Sequence, residues 1–182
     1  MIENKPTFRK INDEEKEIVS FSIMNSFYDE AFGILRNYAF WIKDGKIREV
    51  FVVPITSDKI LEKLPKTAYF AGIPFGSLWK SDFQLEIEGS KLLAPFSKKV
   101  IHVTTDQFLY GKPIFVENIG EITDEFRKGD TLIVFGRSNL HYGIGQAEID
   151  STEISAAKSN TVIIKGHKKR PLDRGWYLRE GD

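Results

Sequence analysis

Apolar residues recur every four positions near the start of the chain: Val19, Ile23, Phe27 and Ala31 fall on one face of a helix. Asn12 or Asp13 can cap that helix, and the acids behind them suit the positive end of its dipole. Two apolar, β-favouring runs follow, residues 38–42 and 49–53. Between them Asp44-Gly45 suits the positive φ of a hairpin turn. Pro54 ends the second strand, and Thr56 or Ser57 can cap a short helix that runs through Leu64 to a stop at Pro65. The glycine- and aromatic-rich stretch 69–80 leads to residues 83–87, which alternate like a half-exposed strand. Phe75, Trp79 and Phe83 read as core.

A short helix over residues 90–96 ends this texture at Lys98-Lys99. Short, glycine-spaced strands are then expected at 100–103, 131–135, 144–149 and 161–165, the pattern of a small barrel or sandwich. The fold class is α+β, with a small α/β domain over residues 1–97 and a β-rich domain over 98–182.

Composition narrows the chemistry. The 182 residues carry 26 basic and 26 acidic side chains and no cysteine, so disulfides, thiolate metal sites and a cysteine nucleophile are excluded. No apolar run approaches the roughly 18 residues of a membrane span, and the charged start does not resemble a secretory signal. An intracellular protein is expected. Gly143-Ile144-Gly145 lacks the third glycine and the following helix of a dinucleotide fingerprint, so close packing explains it better. His102, His141 and His167 have no metal-ligand spacing. The acids Asp82, Glu86 and Glu88 read as a solvated strand face rather than as acid–base machinery.

Charge is segregated along the balanced chain. Residues 11–30 hold six acids and one base, whereas residues 158–179 hold seven bases (Lys158, Lys165, Lys168, Lys169, Arg170, Arg174, Arg179) and one acid, Asp173. His167, Trp176 and Tyr177 lie among these bases. Cations meet phosphates and flat rings stack on base faces, so this pattern suits a polyanion with unstacked bases. Trp176 is expected to anchor the C-terminus by burial, with Tyr177 exposed.

Specific residues carry a family resemblance. Val100-Ile101-His102-Val103, Gln107-Phe108-Leu109-Tyr110-Gly111-Lys112, Ile119-Gly120-Glu121-Ile122, the run from Lys128-Gly129-Asp130 to Val134, and Gly143-Ile144-Gly145-Gln146-Ala147 resemble, in order and spacing, a PUA domain. That domain is a β pseudo-barrel found in RNA-modifying and ribosome-associated proteins. Together with the acidic helix, the aromatic hairpin and the AGIPFGSLWKSDFQLEI segment, they resemble the nuclear-import-protein-seven family of ribosome-biogenesis factors. The closing Leu172 to Arg179 looks like an archaeal member.

The resemblance implies a noncatalytic RNA-binding factor in large ribosomal subunit assembly and pre-rRNA processing. It needs no cofactor, metal or catalytic residue, and it acts in the cytoplasm, or in the nucleolus of a eukaryote. Single-stranded U-rich pre-rRNA would be its ligand, and ribosome-assembly or exosome proteins would meet the N-terminal domain. The family's RNA contacts match Lys168, Lys169, Arg170 and Arg174. The full expected set adds Lys165, His167 and Arg179, with Tyr110 and Lys112 at the corner that PUA domains present to RNA. The alternative is an RNA-modification enzyme or its PUA-containing accessory subunit. Against it, the short first domain shows no adenosylmethionine loop and no catalytic carboxylate motif.

Overall fold

The computed structural model describes residues 7–63, 71–165 and 172–179. The chain divides into two compact units, Met1–Gly89 and Ser90–Asp182.

In the first unit, helix α1 (Asp13–Ser26) opens on a capping box. The Asn12 side chain accepts from the Glu15 amide at 2.8 Å, and the Glu15 carboxylate accepts from the Asn12 amide at 3.2 Å, so two orphan donors are satisfied reciprocally. Val19, Ile23, Phe27 and Ala31 are all buried, as their spacing predicts. They do not share one helix, however. Phe27 is extended, and the chain restarts as α2 (Glu30–Leu35). Asn25 and Ser26 favour caps over helix interiors, which accounts for the break there.

Strands β1 (Phe8–Lys10), β2 (Tyr38–Lys43), β3 (Arg48–Pro54), β4 (Ile73–Trp79) and β5 (Asp82–Leu85) form an antiparallel meander in sequence order. The β2–β3 loop spans residues 44–47, and Gly45 does not adopt a positive φ. Asp44 instead accepts from Thr7 Oγ1 at 2.8 Å and from Arg9 Nε at 2.9 Å, which fixes the longer loop by side-chain bonds. Helix α3 (Ile55–Leu61) starts directly after Pro54, so Thr56 and Ser57 lie inside it and cap nothing. Trp41 Nε1 donates to Asp58 on this helix at 2.9 Å. The expected stop at Leu64 and Pro65 lies outside the described residues. Phe75 and Phe83 are buried and stacked at 5.8 Å. Trp79 is not core: it is 49% exposed, because the register puts Leu78 opposite Phe83 and leaves Trp79 opposite Asp82 at the turn.

The expected strand over 83–87 ends at Leu85, and Ile87 already begins helix α4 (Ile87–Leu93), followed by a 3-10 turn over Ala94–Phe96. Glu86 between them is half-buried, and burial pushes its carboxyl up, so it is not a solvated strand residue.

The second unit contains β6 (Val100–Val103), β7 (Ile114–Phe115), β8 (Ile119–Ile122), β9 (Thr131–Phe135), β10 (His141–Gln146) and β11 (Val162–Ile164). Four of them form a sheet in the order β10-β9-β6-β8, with β6 parallel to β9, while β11 pairs with β7. Among the described residues one isolated bridge, Ala147 to Ile164, joins the two sheets, which gives an incompletely closed pseudo-barrel. Its core includes Ile101, Phe108, Ile114, Leu132, Val134, Tyr142 and Ile163. This is the α+β, PUA-type architecture that the resemblance implies.

Candidate nucleic-acid interface

The C-terminal basic segment is anchored at both ends by β structure. On one side β11 delivers Lys165. On the other, Leu172 and Asp173 return alongside β10: the Ile144 amide donates to the Leu172 carbonyl at 2.8 Å, and the Arg174 amide to the Tyr142 carbonyl at 2.8 Å. Leu172 and Asp173 are buried. Gly143 makes this approach possible. Its φ is +149°, and a Cβ there would lie 2.1 Å from the Leu172 carbonyl oxygen. The Gly-x-Gly sequence is thus a docking notch in a strand, consistent with the packing role expected of it.

The expected contact residues occupy different environments. Lys165 is exposed, but its ammonium pairs with Glu148 at 2.8 Å, so it is not a free cation. Arg174 turns inward: its Nε lies 3.4 Å from His141 Nδ1, and its Nη2 is buried with no hydrogen-bond partner among the described residues. Of the expected contact set, Arg174 is therefore not an outward-facing group, and its position suits holding residues 172–174 on the barrel. His167, Lys168, Lys169 and Arg170 lie outside the described residues. Arg179 ends helix α5 (Trp176–Arg179), and its side chain is likewise outside the description.

A second element joins the C-terminus. The 3-10 turn Gln107–Tyr110 ends at Gly111, whose φ of 68° is left-handed and favours glycine. Phe108 is buried and pins the turn, while Tyr110 is 64% exposed and Lys112 is exposed beside it. Helix α5 packs next to this turn and carries Tyr177, 56% exposed. Trp176 is only half-buried, less than its anchoring role predicts. The fold thus brings the Tyr110–Lys112 corner to the C-terminal helix across more than sixty residues of sequence. Two exposed tyrosines with an exposed lysine can stack on bases and meet a phosphate.

Sequence spacing missed the buried polar group beneath the docked segment. Ser90 Oγ lies 3.1 Å from His141 Nε2, and Arg174 approaches the other ring nitrogen. Burial, and then the Arg174 and Lys91 charges, hold the His141 imidazole down at about 4, so the ring is neutral at physiological pH. Ser90, His141 and Arg174 are too far apart in the chain for any periodic signal to connect them. His102 is half-buried and stacks on Phe135 at 5.5 Å. No group of three metal-ligating side chains occurs among the described residues.

Comparison with known proteins fits this geometry. A family model described as the UPF0113 PUA domain matches residues 99–182. The 60S ribosome subunit biogenesis protein nip7 of Schizosaccharomyces pombe is 27% identical over 115 residues, which is 61% of this chain and 62% of that one. The 60S ribosome subunit biogenesis protein NIP7 of Saccharomyces cerevisiae is 26% identical over 187 aligned positions, covering 96% of this chain and 97% of the relative. A conserved PUA domain protein from Thermoplasma acidophilum superposes with a TM-score of 0.61 at 17% identity, covering 93% of this chain and 99% of that one, a likeness of fold. Residues 99–182 thus match the UPF0113 PUA domain, and the chain is similar to Nip7 proteins over 96% of its length.

Proposed function

We propose that this protein is a noncatalytic RNA-binding factor in large ribosomal subunit assembly and pre-rRNA processing, with an RNA-binding domain over residues 98–182 and a protein-contacting domain over 1–97. The names of its relatives support the assembly role. The observation that carries RNA binding is the exposed Tyr110–Lys112 corner packed beside α5, next to a basic segment anchored by β10 and β11. Lys168, Lys169 and Arg170 neutralise phosphates, with the arginine able to make a bidentate contact, while Tyr110 and Tyr177 stack on unpaired bases. Single-stranded U-rich pre-rRNA is the proposed ligand, met in the cytoplasm or, in a nucleated cell, the nucleolus. Ribosome-assembly or exosome proteins are the proposed partners of the N-terminal domain.

The test is equilibrium binding to an oligouridylate across a salt series. Changing Lys168, Lys169 and Arg170 together to Ala is expected to weaken binding and to flatten the log–log salt slope by about 0.7 per lost single-strand contact. Unchanged affinity and slope would remove these three residues from the interface.

A further inference from the structure

The N-terminal unit contains a cleft of about 640 Å³ walled by α1, α2 and β2, with the start of α3 at its edge. This is the size of a ligand or peptide-anchor pocket. Its floor is apolar. Ile23 and Leu35 are buried, while Phe32 and Phe40 are half-exposed to the cavity, and Phe40 is held by a T-shaped contact with the core ring of Phe75 at 5.5 Å. Ile55 stands at the edge, 57% exposed.

The charges around this floor are unequal in availability. Lys10 and Asp58 also line the cleft, but the Lys10 ammonium is already held between Asp58, at 2.6 Å, and Glu62 just outside the lining, and Asp58 additionally accepts from Trp41. Lys16 and Arg36 are exposed and form no ion pair with any described residue. Asp13, in the first turn of α1, is the remaining carboxylate, so the lining carries a net positive charge. A cation-rimmed apolar cleft fits a ligand with an apolar body and more than one carboxylate or phosphate.

Between a nucleotide and a peptide, hydrogen bonding decides. A nucleobase edge presents several donors and acceptors, and burying them without partners costs free energy. The lining offers the hydroxyls of Ser20 and Tyr38 and otherwise aliphatic and phenyl groups around the floor. A leucine, isoleucine or phenylalanine side chain has no polar edge to satisfy.

We propose that this cleft binds an acidic peptide segment of a partner protein, with an apolar anchor side chain on Phe32 and Phe40 and flanking carboxylates at Lys16 and Arg36. The proposal rests on the N-terminal unit being the protein-contacting part, and it reverses the simplest expectation from the acidic front of the chain, which is a basic partner.

The probe is a displayed library of random dodecapeptides selected against the full chain, with the most enriched sequence then synthesised and titrated. Enrichment of Asp and Glu around Leu, Ile or Phe is expected. The synthetic peptide should lose at least about tenfold in affinity when Lys16 and Arg36 are both changed to Glu. Ile55→Asp should weaken it independently. All the altered side chains are surface-exposed, so melting temperature and oligouridylate affinity should match the parent protein. The Lys168, Lys169 and Arg170 triple variant should keep peptide binding, which separates failure of this site from failure of the RNA interface. No enrichment, enrichment of basic or uncharged peptides, equal binding to the charge-reversed variant, or displacement of the peptide by oligouridylate would each overturn the proposal.

Discussion

Changing Glu15 to Ala is expected to destabilise the protein by about 3 kcal/mol, because it removes the buried carboxylate that two guanidinium groups share. The Glu15 carboxylate is 3% exposed. It accepts from Arg9 Nη1 at 2.9 Å, Arg9 Nη2 at 2.8 Å and Arg48 Nη1 at 2.7 Å, and it also closes the capping box of α1. One side chain therefore ties β1, β3 and the first turn of α1 together. The effect sits at the low end for a buried pair, because Arg9 and Arg48 keep 36% and 27% of their side chains in water. Glu15→Gln should recover only part of the loss, since an amide can still accept from the Asn12 amide but cannot balance the charges.

The same group sets a pH dependence. Hydrogen bonding to Arg9, opposed by burial, holds the Glu15 carboxyl down at about 2 from an ordinary 4.5. The unfolded chain binds this proton first as pH falls. The stabilisation is therefore complete above about 4.5 and disappears as pH drops from there towards 2. Urea unfolding across that window should show the parent protein losing stability faster than Glu15→Gln. Parallel curves, or a Glu15→Ala variant as stable as the parent, would refute the hub.

Changing Gly143 to Ala is expected to cost about 3 kcal/mol as well, and to reach the proposed RNA interface directly. The added Cβ meets the Leu172 carbonyl, and alanine rarely adopts the φ of +149°. Relief requires residues 172–174 to leave β10, which breaks the Ile144–Leu172 and Arg174–Tyr142 backbone hydrogen bonds and unseats Arg174 from His141. Hydrogen exchange should accelerate at the Ile144 and Arg174 amides, and oligouridylate affinity should fall although no cation has been removed. Retained affinity with accelerated exchange would mean that the anchoring of this segment does not matter for binding.

Local physics was legible in the chain wherever neighbours in sequence decide the outcome. The Asn12 cap, the strands Val100–Val103 and Thr131–Phe135, and the left-handed Gly111 after Gln107–Tyr110 follow from capping, short apolar runs bounded by turn residues, and glycine's tolerance of positive φ. Periodicity alone could not place the break at Phe27, because the buried face continues across two helices. Trp79 looked like core by type, yet its position one residue before the β4–β5 turn exposes it.

Charge readings were weakest where partners lie far apart in sequence. Glu15 belonged to an apparent acidic surface until Arg9 and Arg48 enclosed it, and Lys165 and Arg174 belonged to a basic ridge until Glu148 and His141 met them. A count of cations reports which charges exist. Only the fold reports which are already spent.

RNA crosslinking in the source cell, with both the RNA position and the crosslinked peptide identified, bears most directly on the proposed role. Precursor rRNA of the large subunit should be joined to peptides spanning residues 110–112 and 165–179. Crosslinks absent from large-subunit precursors, or confined to peptides of the N-terminal unit, would remove RNA binding by the PUA domain as the basis of its function.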